Sequence, residues 1–391
     1  MNRQLPLSIL IRFLIYFVHW MVLAHLPVLL KQQGFDDVAV GAVIGLFALS
    51  SMLLMLPMGL FSDFFSPKRT LLAGALAFAL YFLLLPRAAT LAGLLCTALL
   101  GGLGAAALVV VSESLYLKQF GQEERRGRRV ALYHLSTYLG FGLGPLAGGF
   151  LLRADLLFPA AGGGSLLIFA AALGLRDHAV RLFAFRDYGE DLRRFKPILL
   201  MVCIFMLGTH FGVEQTSISL LMRETLRCTP EEIGLYFAVV GLWMAMVVPF
   251  VGHLHDKRSS VFLFFLGGLG LSALFQALTA LAHDFWSLVA IRLFHTLGDA
   301  IALLEFSVLT TLFFPSRRLG GNSGVLYAIR ALATFSAAIA TGMVNRHWSY
   351  GASFAVNGLF VLLFVAAGFL LIVLNPRLRQ EVGWEHGSRQ G

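Results

Sequence analysis

Two short stretches carry ionisable side chains at helical spacing inside otherwise apolar runs. In GTHFGVEQTS, His210 and Glu214 stand four residues apart; in IRLFHTLGDA, Arg292, His295 and Asp299 follow at intervals of three and four. Such intervals put side chains on one face of a helix. An ionisable group deep in an apolar span costs a few kcal/mol or more unless it meets a partner or a water-filled cavity, so these positions are where chemistry is expected. Glu214 and Asp299 are the acids that could carry a proton. His210 and His295 suit a relay or a substrate contact, and Arg292 suits holding an anion or tuning an acid. His19 and His25 in the first apolar run and Arg330 in a late one extend the set. Imidazole and carboxylate together also suit a first-row divalent ion, but a spacing of four recurs by chance and no metal site is assigned. Trp20, Trp243 and the 35 Phe suit a cavity for an amphipathic organic solute or lipid.

The elements that must position these groups follow from composition. The chain has 391 residues, of which 58% are hydrophobic and 13% charged, and its mean hydropathy is +0.80. A soluble domain needs roughly a quarter of its residues charged, and many stretches here reach the roughly 20 apolar residues that span a bilayer. The chain is expected to be an all-α integral membrane protein embedded in a lipid bilayer. Twelve spans are expected, over residues 7–30, 38–61, 70–86, 90–116, 130–152, 160–177, 198–222, 232–253, 260–281, 285–313, 323–344 and 350–374. The sixth, AAGGGSLLIFAAALGL, is short and rich in Gly. The first carries Arg12 and His19 and has no small-residue cleavage site, so it reads as a retained helix rather than a signal peptide.

The net charge of +9 follows from topology, because Lys and Arg collect in cytoplasmic loops. With both termini inside, only Lys31, Arg87, Arg153, Arg223, Arg227 and Arg346 fall outside, and Arg12, Arg292 and Arg330 fall within spans. An inner-membrane location with cytoplasmic termini is expected. No soluble basic module is present, which excludes a nucleic-acid partner. Cys96, Cys203 and Cys228 form no CxxC pair. No GxSxG, HExxH or P-loop pattern is present, so an enzyme and a cofactor are not expected. The longest polar segment, RLFAFRDYGEDLRRFKP, divides the chain into an N-terminal six-helix bundle (1–180), a cytoplasmic linker (181–197), a C-terminal bundle (198–376) and a tail (377–391).

The halves repeat one another. Shifted by 193 residues, Gly252 falls on Gly59, Asp256 on Asp63 and Gly234 on Gly41; at 194, Leu326 and Tyr327 fall on Leu132 and Tyr133 and Gly342 on Gly148. Parallel repeats joined by a linker recur in secondary transporters. GLFSDFFSPKR is similar to the motif between helices two and three of the major facilitator superfamily through Gly59, Asp63, Lys68 and Arg69, and departs from it at Phe61, Phe64, Ser66 and Pro67. GHLHDKR is its counterpart after the eighth span, with Gly252, Leu254, Asp256 and Lys257 in place. GFGLGPLAGG resembles the helix-five motif of family antiporters, and RLFHTLG resembles the helix-four R-x-x-x-G-x-G signature, here in the tenth span. Ala98 replaces the helix-four Arg in the first half, which leaves that residue's role in proton transfer open.

The resemblance implies two pseudo-symmetric bundles around a central cavity, with alternating access and no resident cofactor. Asp63 is expected to pair with Lys68 or Arg69, or to oppose a helix N-terminus, whose partial charge is positive. Gly59, Asp63, Lys68, Arg69, Glu113, Gly252, Asp256 and Lys257 would form a cytoplasmic gate. Gly140, Gly144 and Gly148, with Pro145 between, would pack the fifth helix tightly against a partner in the other half. The function expected is proton-coupled efflux, by antiport, of a small organic or amphipathic solute, by a monomer whose partners are that solute, protons and the bilayer. Uptake by symport, carriage of a divalent metal or lipid on the same fold, and a non-transporting receptor are the alternatives.

Overall fold

The computed structural model describes residues 4–120, 126–176, 185–257 and 261–382. Helices account for nearly all of it. The first span is α1 (Gln4–Leu23) and α2 (Leu26–Gln32), broken at Ala24–His25 where Pro27 starts a new helix. Next come α3 (Asp37–Phe64), α4 (Pro67–Leu84), α5 (Leu91–Phe120), α6 (Arg126–Arg153) and α7 (Leu157–Leu173). A short α8 (Phe185–Leu192) lies in the segment expected as linker. The second half runs through α9 (Phe195–Leu220), α10 (Pro230–Asp256), α11 (Val261–Leu278), α12 (Phe285–Phe313), α13 (Leu319–His347) and α14 (Tyr350–Leu374), and α15 (Pro376–Glu381) follows.

Among the described residues, 11 helices are long and apolar enough to cross a membrane, and Leu157–Leu173 is the shorter twelfth. They form two six-helix bundles. Apolar side chains such as Leu363 and Leu374 remain exposed on the outside, as lipid-facing surface requires. Helix starts are set by local chemistry. Asp36, Ser66, Thr229, Asp284 and Ser349 each cap the helix that follows, which satisfies N–H groups that the turn leaves without partners.

The most extensive packing joins the halves, α3 against α13 and α6 against α10. Both pairs touch along their whole length. At one end Gly59 lies on Gly320 and Gly127 on Gly252; at the other Gly41 lies on Gly342 and Gly149 on Pro230. A side chain at any of these positions would meet backbone of the opposite half. The ends are called here the linker end, which carries α8, and the opposite end. Between the two seams lies a cavity of about 170 Å³.

The glycine stripe of α6 faces elsewhere than expected. A Cβ on Gly140, Gly144 or Gly148 would run into α1, at Phe13, Phe17 and Met21. The stripe thus packs α6 on α1 within its own half, and Gly142 and Gly149 are the α6 glycines that meet α10. The reason is angular: positions 140, 144 and 148 share a face, and 142 lies on the other side of the helix. The kink region serves the same seam, because His25 reaches the Pro145 carbonyl at 3.0 Å. The second half builds its matching seam with glycines on the other partner: Gly208 and Gly212 of α9 meet Arg330, Ala333 and Thr334 of α13.

Candidate functional site

Five residues singled out by spacing converge in the second half. Glu214 of α9 is contacted by the Arg292 guanidinium of α12 and lies 2.6 Å from Nε2 of His295. The same Nε2 is 3.0 Å from Asp299, one turn further along α12. His210 reaches the hydroxyl of Ser272 on α11 at 3.1 Å, and that hydroxyl donates to Asp299 at 2.6 Å. Arg292 is held from three sides, by Glu214, by Tyr236 at 3.0 Å and by Gln276 at 2.7 Å. Glu214, Arg292 and Asp299 line the cavity; His210 and His295 are buried behind them.

The hydrogen bonds around His295 fix a proton inventory. Its Nδ1 lies 2.9 Å from the carbonyl oxygen of Ser272, which can only accept, so Nδ1 carries a hydrogen. Its Nε2 faces two carboxylates. Either the ring is doubly protonated, or a carboxyl group holds the proton and donates it to Nε2. In both forms the cluster contains one proton more than two ionised carboxylates and a neutral imidazole would. With that proton, the two acids are balanced by Arg292 and the proton itself. His210, His295 and Asp299 offer ligand atoms within 4.8 Å of one another, but both nitrogens of His295 are already engaged and Arg292 places a fixed cation against Glu214. That donor set fits a proton better than a divalent ion.

A second buried network belongs mainly to the first half. Arg12 of α1 contacts Glu113 of α5 at 3.0 Å and Thr137 of α6 at 2.8 Å, with its guanidinium 4.5 Å from the rings of Tyr16 and Tyr133. Glu113 also accepts from Ser307 at 2.9 Å and from Tyr327, both in the other half. Ser307 sits 194 residues after Glu113, so the two are counterparts in the repeat and meet at its axis. His134 completes the set at 3.0 Å from Ser307. Glu113 was expected among the charges of the linker-end loops; instead it turns inward, about two turns from the helix end, because Arg12 would otherwise be a buried unpaired cation.

Asp63 and Asp256 occupy matching places. Asp63 accepts from the backbone N–H groups of Gly320 at 3.2 Å and Gly321 at 2.7 Å, at the start of α13. Asp256 accepts from Gly127 at 2.8 Å and Arg128 at 3.3 Å, at the start of α6. Each carboxylate thus sits on a helix N-terminus of the opposite half, where the dipole favours it. Pairing of Asp63 with Lys68 or Arg69 is not seen. Lys68 donates to the Leu173 carbonyl at 2.5 Å, Arg69 lies exposed in the first turn of α4, and Lys118 of α5 contacts Asp63 instead. Asp63 has one further partner, the Tyr188 hydroxyl of α8 at 3.0 Å. Lys257 ends α10 exposed, and Gly252 backs onto Gly127. Arg258 lies outside the described residues.

The fold agrees with comparison to known proteins. A family model described as Major Facilitator Superfamily matches residues 8–215 and 200–387. The chain belongs to the Major Facilitator Superfamily. It is similar to an uncharacterized MFS-type transporter of Methanocaldococcus jannaschii, 22% identical over 88% of this chain and 89% of that protein. It is also similar to the quinolone resistance protein NorA of Staphylococcus aureus, 22% identical over 74% of this chain and 77% of that one. Among solved structures it resembles the human organic anion transporter TETRAN, with a TM-score of 0.71 at 19% identity, covering 93% of this chain and 99% of that chain. A POT family transporter in complex with a thioalcohol-conjugated peptide gives 0.76 at 13% identity, covering 96% of each chain. These likenesses show the superfamily's fold, and the protein is a multi-pass membrane transporter of that superfamily.

His19 lines the cavity but joins neither network; its ring stacks between Phe47 at 5.3 Å and Phe78 at 5.7 Å. Sequence spacing did not reveal Tyr236, Ser272 and Gln276, which complete the Arg292 and His295 shells, because a single neutral polar residue in an apolar helix carries no periodic signal. It also left Arg12 without a partner. One signal was available: the 194-residue repeat that relates Tyr133 to Tyr327 also relates Glu113 to Ser307.

Proposed function

We propose that the protein is a proton-coupled secondary transporter that works by alternating access and exports a small organic or amphipathic solute in exchange for protons. The coupling proton resides in the cluster of Glu214, His295 and Asp299, with Arg292 fixing the geometry. The observation that carries this is His295, set between two carboxylates on one nitrogen and a carbonyl oxygen on the other. Glu214 faces the cavity and so links that proton to whatever the cavity holds. Export is supported by the likeness to a drug resistance protein and by the α6 glycine motif. Asp63 and Asp256 act as paired latches that hold the linker end shut, and release of their helix caps accompanies opening there. The bundles are residues 1–180 and 198–376, with both termini cytoplasmic in an inner membrane, and the protein functions as a monomer.

Uptake by symport is a second reading. Arg330 adds a cation to the cavity wall, and an anionic solute held beside it offsets the charge of a proton on the cluster, which favours loading the two together. Purified protein in liposomes, given a pH gradient of either sign, separates the two. Antiport accumulates solute in vesicles that are acid inside, and symport in vesicles that are acid outside. An uncoupler should abolish either. Flux indifferent to the gradient would remove proton coupling, and absence of any flux would leave a receptor.

A further inference from the structure

We infer that the central cavity recognises an amphipathic organic anion, with Arg330 as the group that holds its anionic head. This rests on the cavity being the transport site proposed above and names the class of solute that fits it. Three guanidinium groups line the cavity. Arg12 is paired with Glu113 and Arg292 with Glu214. Arg330 of α13 differs. Its guanidinium lies 4.4 Å from the Tyr327 ring and 5.4 Å from the Phe211 ring, and no carboxylate comes within ion-pair distance of it among the described residues. Contact with aromatic faces offsets part of the cost of a cation in an apolar wall, yet it leaves the five N–H donors of the fork without an anionic acceptor.

Charge and donor accounting agree. The Arg12 and Glu113 charges cancel, and those of Glu214 and Asp299 are cancelled by Arg292 and the proton on the cluster. Arg330 remains, so the cavity carries one net positive charge while the cluster holds its proton and is neutral once the proton leaves; in both states Arg330 is the guanidinium in the wall that has no carboxylate partner among the described residues. Other wall residues also have donors to spare: Nη1 of Arg12 and the hydroxyl of Tyr138 are buried without a protein partner. A planar anion such as a carboxylate, or a tetrahedral one such as a phosphate or sulfonate, accepts two hydrogen bonds from a guanidinium at once. An ammonium placed beside Arg330 would instead meet a like charge.

The rest of the wall suits a ring or short apolar body. Trp20 meets Phe141 edge to face at 4.7 Å and Phe141 meets Phe237 at 5.5 Å, and all three line the cavity. The volume of about 170 Å³ is close to the roughly 150 Å³ apolar cavity that holds benzene. A single aromatic ring with one anionic group therefore matches the space in this conformation.

The test uses three ligands of nearly the same shape and different charge: benzoate, benzamide and benzamidinium. Binding to the purified full-length protein is followed by ligand-observed NMR at one pH, with no gradient. Wild type should bind benzoate about tenfold or more tighter than benzamidinium, with benzamide between, as one charge-assisted contact requires. Arg330→Gln should lose that preference while benzamide binding stays within about twofold. Arg330→Lys, which keeps the charge and loses the fork, should retain the order benzoate over benzamidinium, so a Gln variant that merely folds poorly is recognised. A wild-type preference for benzamidinium, equal losses of benzoate and benzamide in Arg330→Gln, or no benzoate binding would overturn the inference. Because no pH gradient is involved, a carrier that proves uncoupled from protons still gives a result here. Gradient-driven flux of some other compound survives if only the anion class is wrong.

Discussion

The two buried charge networks face the same cavity and are built to opposite ends. Around Glu113, one cation meets one carboxylate, two hydroxyls from the other half donate to the carboxylate, and Thr137 accepts from the cation. Around Glu214, two carboxylates, a guanidinium and an imidazole share one proton that has more than one place to reside. The first is balanced at fixed charge and ties the halves together at the repeat axis. The second lies within one half and changes charge when a proton leaves. Sequence repetition made two similar frames; only the second half filled its frame with a titrating set, since Ala98, Gly101 and Ala105 stand at the positions matching Arg292, His295 and Asp299.

The largest expected effect breaks the first network. Glu113→Ala leaves Arg12 buried and unpaired, which should cost about 3–5 kcal/mol. The melting temperature of the purified protein should drop sharply. Replacing both members, Arg12→Met with Glu113→Leu, should recover much of the loss, because an apolar pair removes the stranded charge. No recovery would mean that the hydroxyl contacts of Ser307 and Tyr327, rather than the ion pair, carry the stability.

Next in size is overpacking of the seams that position each network. Gly144→Leu forces a side chain into the α1 backbone at Phe17, and Gly212→Leu forces one into α13 at Thr334. Each should cost about 1–3 kcal/mol. The first displaces the helix that carries Arg12 and the second the helix that carries Glu214, so only the second should alter proton coupling beyond its effect on stability. Flux at equal protein stability, with and without a pH gradient, separates the two.

A smaller contrast is expected at the linker end. Asp63 holds two backbone groups, Lys118 and Tyr188, whereas Asp256 is held by two backbone groups. Asp63→Asn should reduce transport several-fold more than Asp256→Asn at matched expression. Equal rates would show that the partners from α5 and α8 add nothing to the cap.

The smallest effect concerns α8 itself. Asp191 takes a bidentate contact from Arg318 at 2.8 Å and one from Asn322 at 3.0 Å. Burial works to raise its carboxyl, but these partners outweigh burial and hold it below the usual carboxylate range. A carboxyl depressed in the folded state contributes stability above its unfolded value, near 3.9, and loses it as pH falls through the folded value. Docking of α8 should therefore persist at neutral pH and weaken only below about pH 4. Limited proteolysis of the linker with an acid-active protease reads this out, and cleavage already rapid at pH 7 would contradict it.

The sequence is most legible where burial is costly. His210, Glu214, Arg292, His295 and Asp299 stood out because charged groups at helical spacing in apolar runs need partners, and the structure brings all five together. Asp63 and Asp256 stood out through the repeat, but their acceptor role toward Gly320, Gly321, Gly127 and Arg128 did not, because backbone donors have no sequence signature. The family resemblance implies a place for Glu113 in the cytoplasmic gate; its partner Arg12 lies 101 residues earlier, a distance no periodicity spans. The α6 stripe was recognised as a packing face, and its partner could not be read because small residues pack equally well on either neighbour. The α8 contacts were missed because a run of mixed charge looks the same whether solvated or docked.

The central claim is that the second-half cluster, and not the Arg12 and Glu113 pair, carries the coupling proton. Its most direct test is Glu214→Gln in liposomes, measured for solute accumulation under a pH gradient and for solute exchange at equal pH. Glutamine keeps the shape at the cavity wall and removes one of the two carboxylates that share the proton. Gradient-driven accumulation should be lost while exchange remains partly intact, with Asp299→Asn run alongside. If Glu214→Gln still accumulates solute against a gradient and Asp299→Asn does not, the coupling acid is Asp299 on α12; if both still accumulate it, the cluster is not the coupling site and the account fails.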